Sequence, residues 1–228
     1  GGQNWKRGAD IEARPIAGDI AAGTLFLKQL QPFVFRKYLD YAAIADIHGI
    51  KRQIHAHKGY GDIAVKGHDV KLGRGGIREI EFFVQTQQLI AGGRMTDLRS
   101  RRTDETLAAL AQARWITPVV ERELTAAYWF LRDIEHRIQM VRDEQSHKLP
   151  TTEAELKRIA LMMGFEDVAG FSARVDTVLR TVERCYARLF EKEAEGGDDN
   201  VSLVFAGGQD DPKTLDHLAK LGFERPSD

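Results

Sequence analysis

The sequence predicts a mainly α-helical protein that opens with the closing part of an α/β domain and continues as an antiparallel helical bundle. Three observations predict it. Beyond Gly92-Gly93, apolar residues recur at three- and four-residue steps in several long runs with short breaks between them, the pattern of helices that each bury one face against the others. Ahead of that point only residues 9–16 and Val70–Leu72 alternate apolar and polar residues as strands do, and two strands are too few to hold a sheet of their own. The chain has 228 residues, 43% of them hydrophobic, enough for one large core or two small ones. The predicted division is residues 1–93, the end of the α/β domain with a glycine-rich motif; 94–195, the bundle; and 196–228, a linker and the start of a further region.

Taken in order, residues 9–16 end at Pro15, which suits an edge strand because proline offers no N–H to a neighbour. From Asp19 the apolar set switches to helical spacing, and helices are predicted over about 20–31 and 33–57, divided near Pro32. Residues 59–68 read as a loop, and 77–92 as a helix after the glycines. Thr103 or Asp104 caps the next helix, to about Arg114; Thr117 with Pro118 at the first helical position opens the longest, to about Ser146. Thr151-Thr-Glu-Ala-Glu155 is a capping-box start for a helix ending before Gly164, and residues 167–195 carry the last long apolar stripe. Gly196-Gly-Asp-Asp-Asn200 is a flexible acidic break, and Asp211-Pro212 starts a short helix to Leu221. The ending after Gly222 closes no element, so the sequence predicts a piece of a longer protein.

Composition excludes several classes of function. Basic and acidic residues number 33 and 34, leaving no positive excess for nonspecific nucleic-acid binding. No window approaches eighteen uninterrupted apolar residues and the start has no apolar signal core, so a soluble, cytoplasmic protein without membrane contact is predicted. Cys185 is the single cysteine, which excludes an internal disulfide, and its place in an apolar stripe predicts a packed thiol. The seven histidines lack zinc-ligand spacing.

The chemistry is expected in the stretch from Asp69 to Gln85. Gly73, Gly75 and Gly76 fall within four residues ahead of a helix start, so free helix N–H groups with Lys71, Arg74 and Arg78 beside them favour a phosphate. Asp69, Glu79 and Glu81 stand in the same place, and carboxylates beside a phosphate require a metal such as Mg²⁺ between them. The competing reading is an ordinary glycine-rich turn before a solvated helix, since the stretch is neither a Walker A loop nor a dinucleotide fingerprint. On the longest helix Arg132, Glu135, His136, Gln139 and Arg142 form a polar stripe. It is either a solvated face with intrahelical ion pairs or, with Glu135, His136, Gln139 and Arg142 turned inward, the lining of a cleft.

Several stretches, in order, carry a resemblance: Asn4-Trp5, Ala13-Arg-Pro-Ile-Ala-Gly-Asp19, Pro32-Phe-Val-Phe-Arg-Lys-Tyr-Leu-Asp-Tyr-Ala-Ala-Ile44, Lys71-Leu-Gly-Arg-Gly-Gly-Ile-Arg-Glu-Ile-Glu-Phe82, Phe130-Leu-Arg-Asp-Ile-Glu-His-Arg-Ile-Gln139 and Gln145-Ser-His-Lys-Leu-Pro150. Over roughly residues 3–190 the chain resembles the bifunctional glutamine synthetase adenylyltransferase/adenylyl-removing enzyme family, and its Gly-Gly-Ile-Arg-Glu-Ile-Glu-Phe form looks like the N-terminal, adenylyl-removing half. The resemblance implies a nucleotidyltransferase-fold domain followed by a helical bundle. It further implies removal of AMP from a glutamine synthetase tyrosine by phosphorolysis, releasing ADP, with Mg²⁺ and under control of PII signalling protein and glutamine. The family's Gly-Ser-Asp-x-Asp metal motif is absent from this chain, so the chain alone is expected to be inactive. Carried onto this sequence, the expected acidic groups are Glu79 first, then Glu81, both as metal ligands, and Asp69 third. Arg14, Lys71, Gly73, Arg74, Gly75, Gly76 and Arg78 are the expected phosphate or nucleotide contacts. The runners-up are a non-catalytic docking module for PII or glutamine synthetase, and a PII uridylyltransferase-like protein.

Overall fold

A computed structural model describes residues 10–35 and 63–195. By packing the chain divides into Gly1–Tyr186 and Ala187–Asp228; the first unit runs unbroken across residue 93 and holds the candidate site. The mainly α expectation holds: the described residues form six α-helices, a short 3₁₀ turn and no strand. The expected helices over 33–57 beyond Phe35 and over 212–221, and the acidic break at 196–200, lie outside the described residues.

The strand expected at 9–16 is instead a helical turn at Asp10–Ile11, closed by Ala13 N–H on the Asp10 carbonyl (3.2 Å), followed by irregular chain. Its alternation misleads because Ile11 is buried by a helix rather than by a sheet: it packs with Val34 and Phe35, flanked by Leu30 and Leu89. Helix α1, Ile20–Val34, starts on the Asp19 side chain, which accepts from Ala22 N–H (2.9 Å). It runs through Pro32, where a break was expected. Proline disrupts the bond to the carbonyl four residues back, and in a helix's last turn few bonds remain to be lost.

Helix α2, Ile77–Ala91, follows the glycines as predicted. The extended stretch expected before it is a turn, held by one antiparallel bridge between Asp69 and Lys148, with Val70 N–H on His147 O (2.9 Å) and Leu149 N–H on His68 O (2.8 Å). A 3₁₀ turn at Thr96–Arg99 precedes α3, Thr103–Gln112, whose N-cap position is Arg102 rather than Thr103 or Asp104. Helix α4, Pro118–Arg142, is capped by Thr117 as predicted but stops short of Ser146, because Asp143 turns left-handed (φ 53°). Helix α5, Glu153–Met162, has Thr152 as its cap and Gly164 at φ 81° just beyond its end; α6 spans Val168–Glu195.

Helix α2 packs on α3 and α4, α3 packs on α4, and α4 packs on α5. Helix α6 runs antiparallel to α4: Arg174 stacks over the Phe130 ring, 5.4 Å from its centre, and further along Arg184 and Cys185 reach Glu123 (3.6 and 3.5 Å). The core between these helices includes Ile77, Ile80, Leu107, Leu131, Ile134 and Leu179, all essentially inaccessible to solvent, and Cys185 is buried as its place in the stripe predicts.

Candidate active site

The glycine-rich loop is built to hold itself. Asp69 Oδ1 accepts from Lys71 N–H (3.0 Å) and Leu72 N–H (2.7 Å), an Asx turn. Gly73 N–H then bonds Asp69 O (2.7 Å) and Gly76 N–H bonds Gly73 O (3.0 Å). The first helical donors are also spent within the loop: Ile77 N–H on Val70 O (3.0 Å), Arg78 N–H on Lys71 O (2.9 Å) and Glu79 N–H on Gly76 O (3.1 Å). The sequence reading expected these groups to be free for a phosphate, and here they are capped by main-chain carbonyls.

The loop also leans on α6. Gly75 has φ 72°, and a Cβ on it would overlap the Leu179 carbonyl, so both backbone conformation and contact demand glycine. Arg74 pairs with Glu183 of α6, and its carbonyl meets His68 Nε2 (3.0 Å). Gly73, Gly75, Gly76 and Arg74 thus have structural partners that account for them.

Lys71 leaves the loop in a different direction. Its Nζ lies 3.2 Å from Oε1 of Glu135, a residue 1% exposed in the middle of α4. Arg132, one turn earlier, donates to Oε2 of the same carboxylate (2.7 Å), and His147 Nδ1 stands 3.0 Å from Oε1, within ion-pair range though off the line of a hydrogen bond. The Asp69–Lys148 bridge carries His147 to this place. Glu81 faces the same group: burial pushes its carboxyl up, opposed by Arg78, Arg132 and Lys71 and reinforced by Glu12. Arg78 Nη1 is 3.6 Å from Glu81, and Glu12 takes a hydrogen bond from Gln85 (2.8 Å). Three partly exposed cations, two shielded carboxylates and a histidine therefore meet on one side of α2.

Glu79, ranked first from sequence, is on the other side. It is 8% exposed, and its carboxyl is pushed up to about 7, first by burial and then by Glu183, against the Gly75 backbone and Arg74. Glu79 and Glu81 share none of the neighbours that act on their charge, so they do not form a paired Mg²⁺ site; nor do three His, Cys, Asp or Glu side chains gather to hold a metal among the described residues. Of the stripe on α4, Glu135 is at the centre of the cluster, Gln139 is half-buried and His136 is exposed. The Arg142 side chain lies outside the described set. Arg14 is exposed at a separate cavity, beyond the far end of α2. Of this cluster, Arg132 belongs to the polar stripe already read from the sequence; sequence reasoning missed His147 and Glu12 as members, which have no local signal pointing to it.

A family model described as GlnD PII-uridylyltransferase matches residues 48–190. The chain is 69% identical over 227 residues to the bifunctional glutamine synthetase adenylyltransferase/adenylyl-removing enzyme of Rhizobium meliloti, 67% to that of Agrobacterium fabrum and 53%, over 226 residues, to that of Xanthobacter autotrophicus. These alignments take in essentially all of this chain and 23% of each relative. No helix among the described residues is long and apolar enough to cross a membrane. The family match spans more than half of the chain, and the chain belongs to the GlnD PII-uridylyltransferase family, with its full-length identity running to bifunctional glutamine synthetase adenylyltransferase/adenylyl-removing enzymes.

Proposed function

We propose that this chain serves the control of glutamine synthetase by reversible adenylylation, and belongs to the part that removes AMP from the modified tyrosine by phosphorolysis. The observation that supports this best is the meeting of Lys71 and Arg132 on the buried Glu135, beside Arg78 and Glu81. In phosphorolysis an oxygen of inorganic phosphate forms a new bond to the AMP phosphorus, the bond from that phosphorus to the tyrosine oxygen breaks, and the tyrosinate takes up a proton as ADP leaves. Attacker and target are both anions, so the reaction needs fixed cations more than hydrolysis does. Glu135 holds Lys71 and Arg132 in place; Lys71, Arg132 and Arg78 offer the positive charge; Glu81, its carboxyl raised by burial, is the group suited to keep a proton near the leaving oxygen.

Among the described residues no three His, Cys, Asp or Glu side chains gather to hold a metal, so no step is assigned to Mg²⁺ here; the resemblance places the metal-binding aspartates in a motif that this chain does not contain. PII and glutamine enter this proposal as the regulators the resemblance implies. The test is phosphate-dependent AMP release from adenylylated glutamine synthetase by the full-length enzyme. Lys71→Ala and Glu81→Gln are expected to slow release at least tenfold and to leave AMP attachment within about twofold, since two carboxyl or ammonium contacts at a transition state are each worth on the order of 10²-fold. Unchanged release in both variants overturns the assignment. The family match favours one second reading, transfer of UMP to PII; label from UTP on PII, with none lost from glutamine synthetase, would select it.

A further inference from the structure

At the end of α2 away from Lys71, roughly 20 Å along a fifteen-residue helix, a cavity of about 680 Å³ opens between residues 10–15, α1 and the 3₁₀ turn. Four cations line it, Arg14, Lys28, Arg99 and Arg101, against one carboxylate, Asp10. Arg99 is fixed there: its Nε donates to Gly92 O (2.6 Å), Nη2 to Gly93 O (3.3 Å), and its guanidinium lies 5.2 Å over the Phe35 ring. Arg14, Lys28 and Arg101 are exposed and make no ion pair with any of the described residues. The floor is apolar, formed by Ile11, Val34 and Phe35, all buried. Cations that line one cavity over an apolar floor favour an anion within it, and guanidinium groups match the forked oxygens of phosphate.

We propose that this cavity binds a phosphate-bearing small molecule, with its charged end on Arg14, Lys28 and Arg101 and its apolar or planar part on Ile11, Val34 and Phe35. An excess of three positive charges suits a multiply charged phosphate rather than a single carboxylate. The site shares no residue with the Glu135 cluster and stands independently of the function proposed for it.

The test is calorimetric titration of the purified chain with ADP and, separately, with inorganic phosphate. ADP is expected to bind at least tenfold more tightly than phosphate, because phosphate alone does not reach the floor. Arg14→Gln/Arg101→Gln, two exposed positions with no described partner to lose, is expected to weaken ADP at least tenfold with the thermal midpoint unchanged. Absence of saturable ADP binding, or equal affinity in the double variant, overturns the proposal, the latter by placing the anion elsewhere in the chain. Equal affinity for ADP and phosphate overturns the role of the apolar floor.

Discussion

Replacing Glu79 by glutamine is expected to stabilise the protein at neutral and alkaline pH and to do little at pH 4.5. The carboxyl ionises near 4.5 in the unfolded chain and at about 7 in the folded one, chiefly because it is buried between the glycine loop and α6. Between those two values the folded state holds a proton that the unfolded state has lost. Stability therefore falls as pH rises from 4.5 to 7 and is level above that. At about 1.36 kcal/mol per pH unit the loss amounts to roughly 3 kcal/mol. Glutamine removes the charge and keeps the shape. It still leaves a buried polar atom, since Glu79 Oε2 has no hydrogen-bond partner, so a net gain of about 1–2 kcal/mol at pH 8 is expected. For a unit of this size that is roughly 2–8 °C in the thermal midpoint. The assay is thermal unfolding of both proteins at pH 4.5, 6, 7 and 8, with AMP release measured on the same variant in the full-length enzyme. A Glu79→Gln midpoint at pH 8 equal to or below that of the parent refutes the burial argument. Abolished AMP release with a raised midpoint restores Glu79 to the chemistry.

Three further outcomes are expected. Gly75→Ala should cost more than about 3 kcal/mol, because it adds backbone strain at positive φ to an overlap with the Leu179 carbonyl; denaturant unfolding checks it. Asp69→Asn keeps the Oδ1 acceptor for Lys71 and Leu72 and should preserve stability and AMP release, whereas Asp69→Ala should cost about 1 kcal/mol; loss of release in the asparagine variant with its midpoint kept would make Asp69 a catalytic group after all. Glu135→Gln should loosen Lys71 and Arg132 and raise the phosphate concentration needed for half-maximal release, by at least fivefold; an unchanged phosphate dependence would reduce Glu135 to a packing role.

The helices were legible in the sequence because each signal is local. Thr117-Pro118, Thr152 with Glu155, and Gly164 sit where capping chemistry places them, and Glu155 Oε2 does accept from the Thr152 hydroxyl (2.8 Å). The turn at Asp10–Ile11 was not legible, since alternation over a few residues does not distinguish a strand from a short turn that buries one isoleucine against a helix. The 3₁₀ turn at Thr96–Arg99 was missed for a related reason. It is organised from outside, by Gln88, whose amide donates to Leu98 O (2.7 Å) and Ser100 O (2.6 Å) across the end of α2.

For the candidate site, the sequence singles out the segment but not which of its groups face which way. Helical spacing alone separates Glu79 from Glu81 but does not say which side meets the polar stripe of α4. That is decided by two long-range constraints. The Gly75 backbone must lie against Leu179, which turns Glu79 and Arg74 toward α6 and Glu183. The Asp69–Lys148 bridge then brings the segment after α4 back across the loop, so that Lys71 and His147 arrive together at Glu135. In this arrangement the glycines allow the loop to press against α6 closely enough that Lys71 is held at the opposite face. A glycine motif read as a phosphate cradle and one read as a spacer forecast different effects of Gly76→Ala, whose Cβ would crowd the Val70 and Gly73 carbonyls at 2.8 Å. Either reading loses stability to that overlap; with the fold restored by a stabilising co-solvent, the spacer would recover phosphate affinity and release together, whereas the cradle would keep its loss of phosphate affinity.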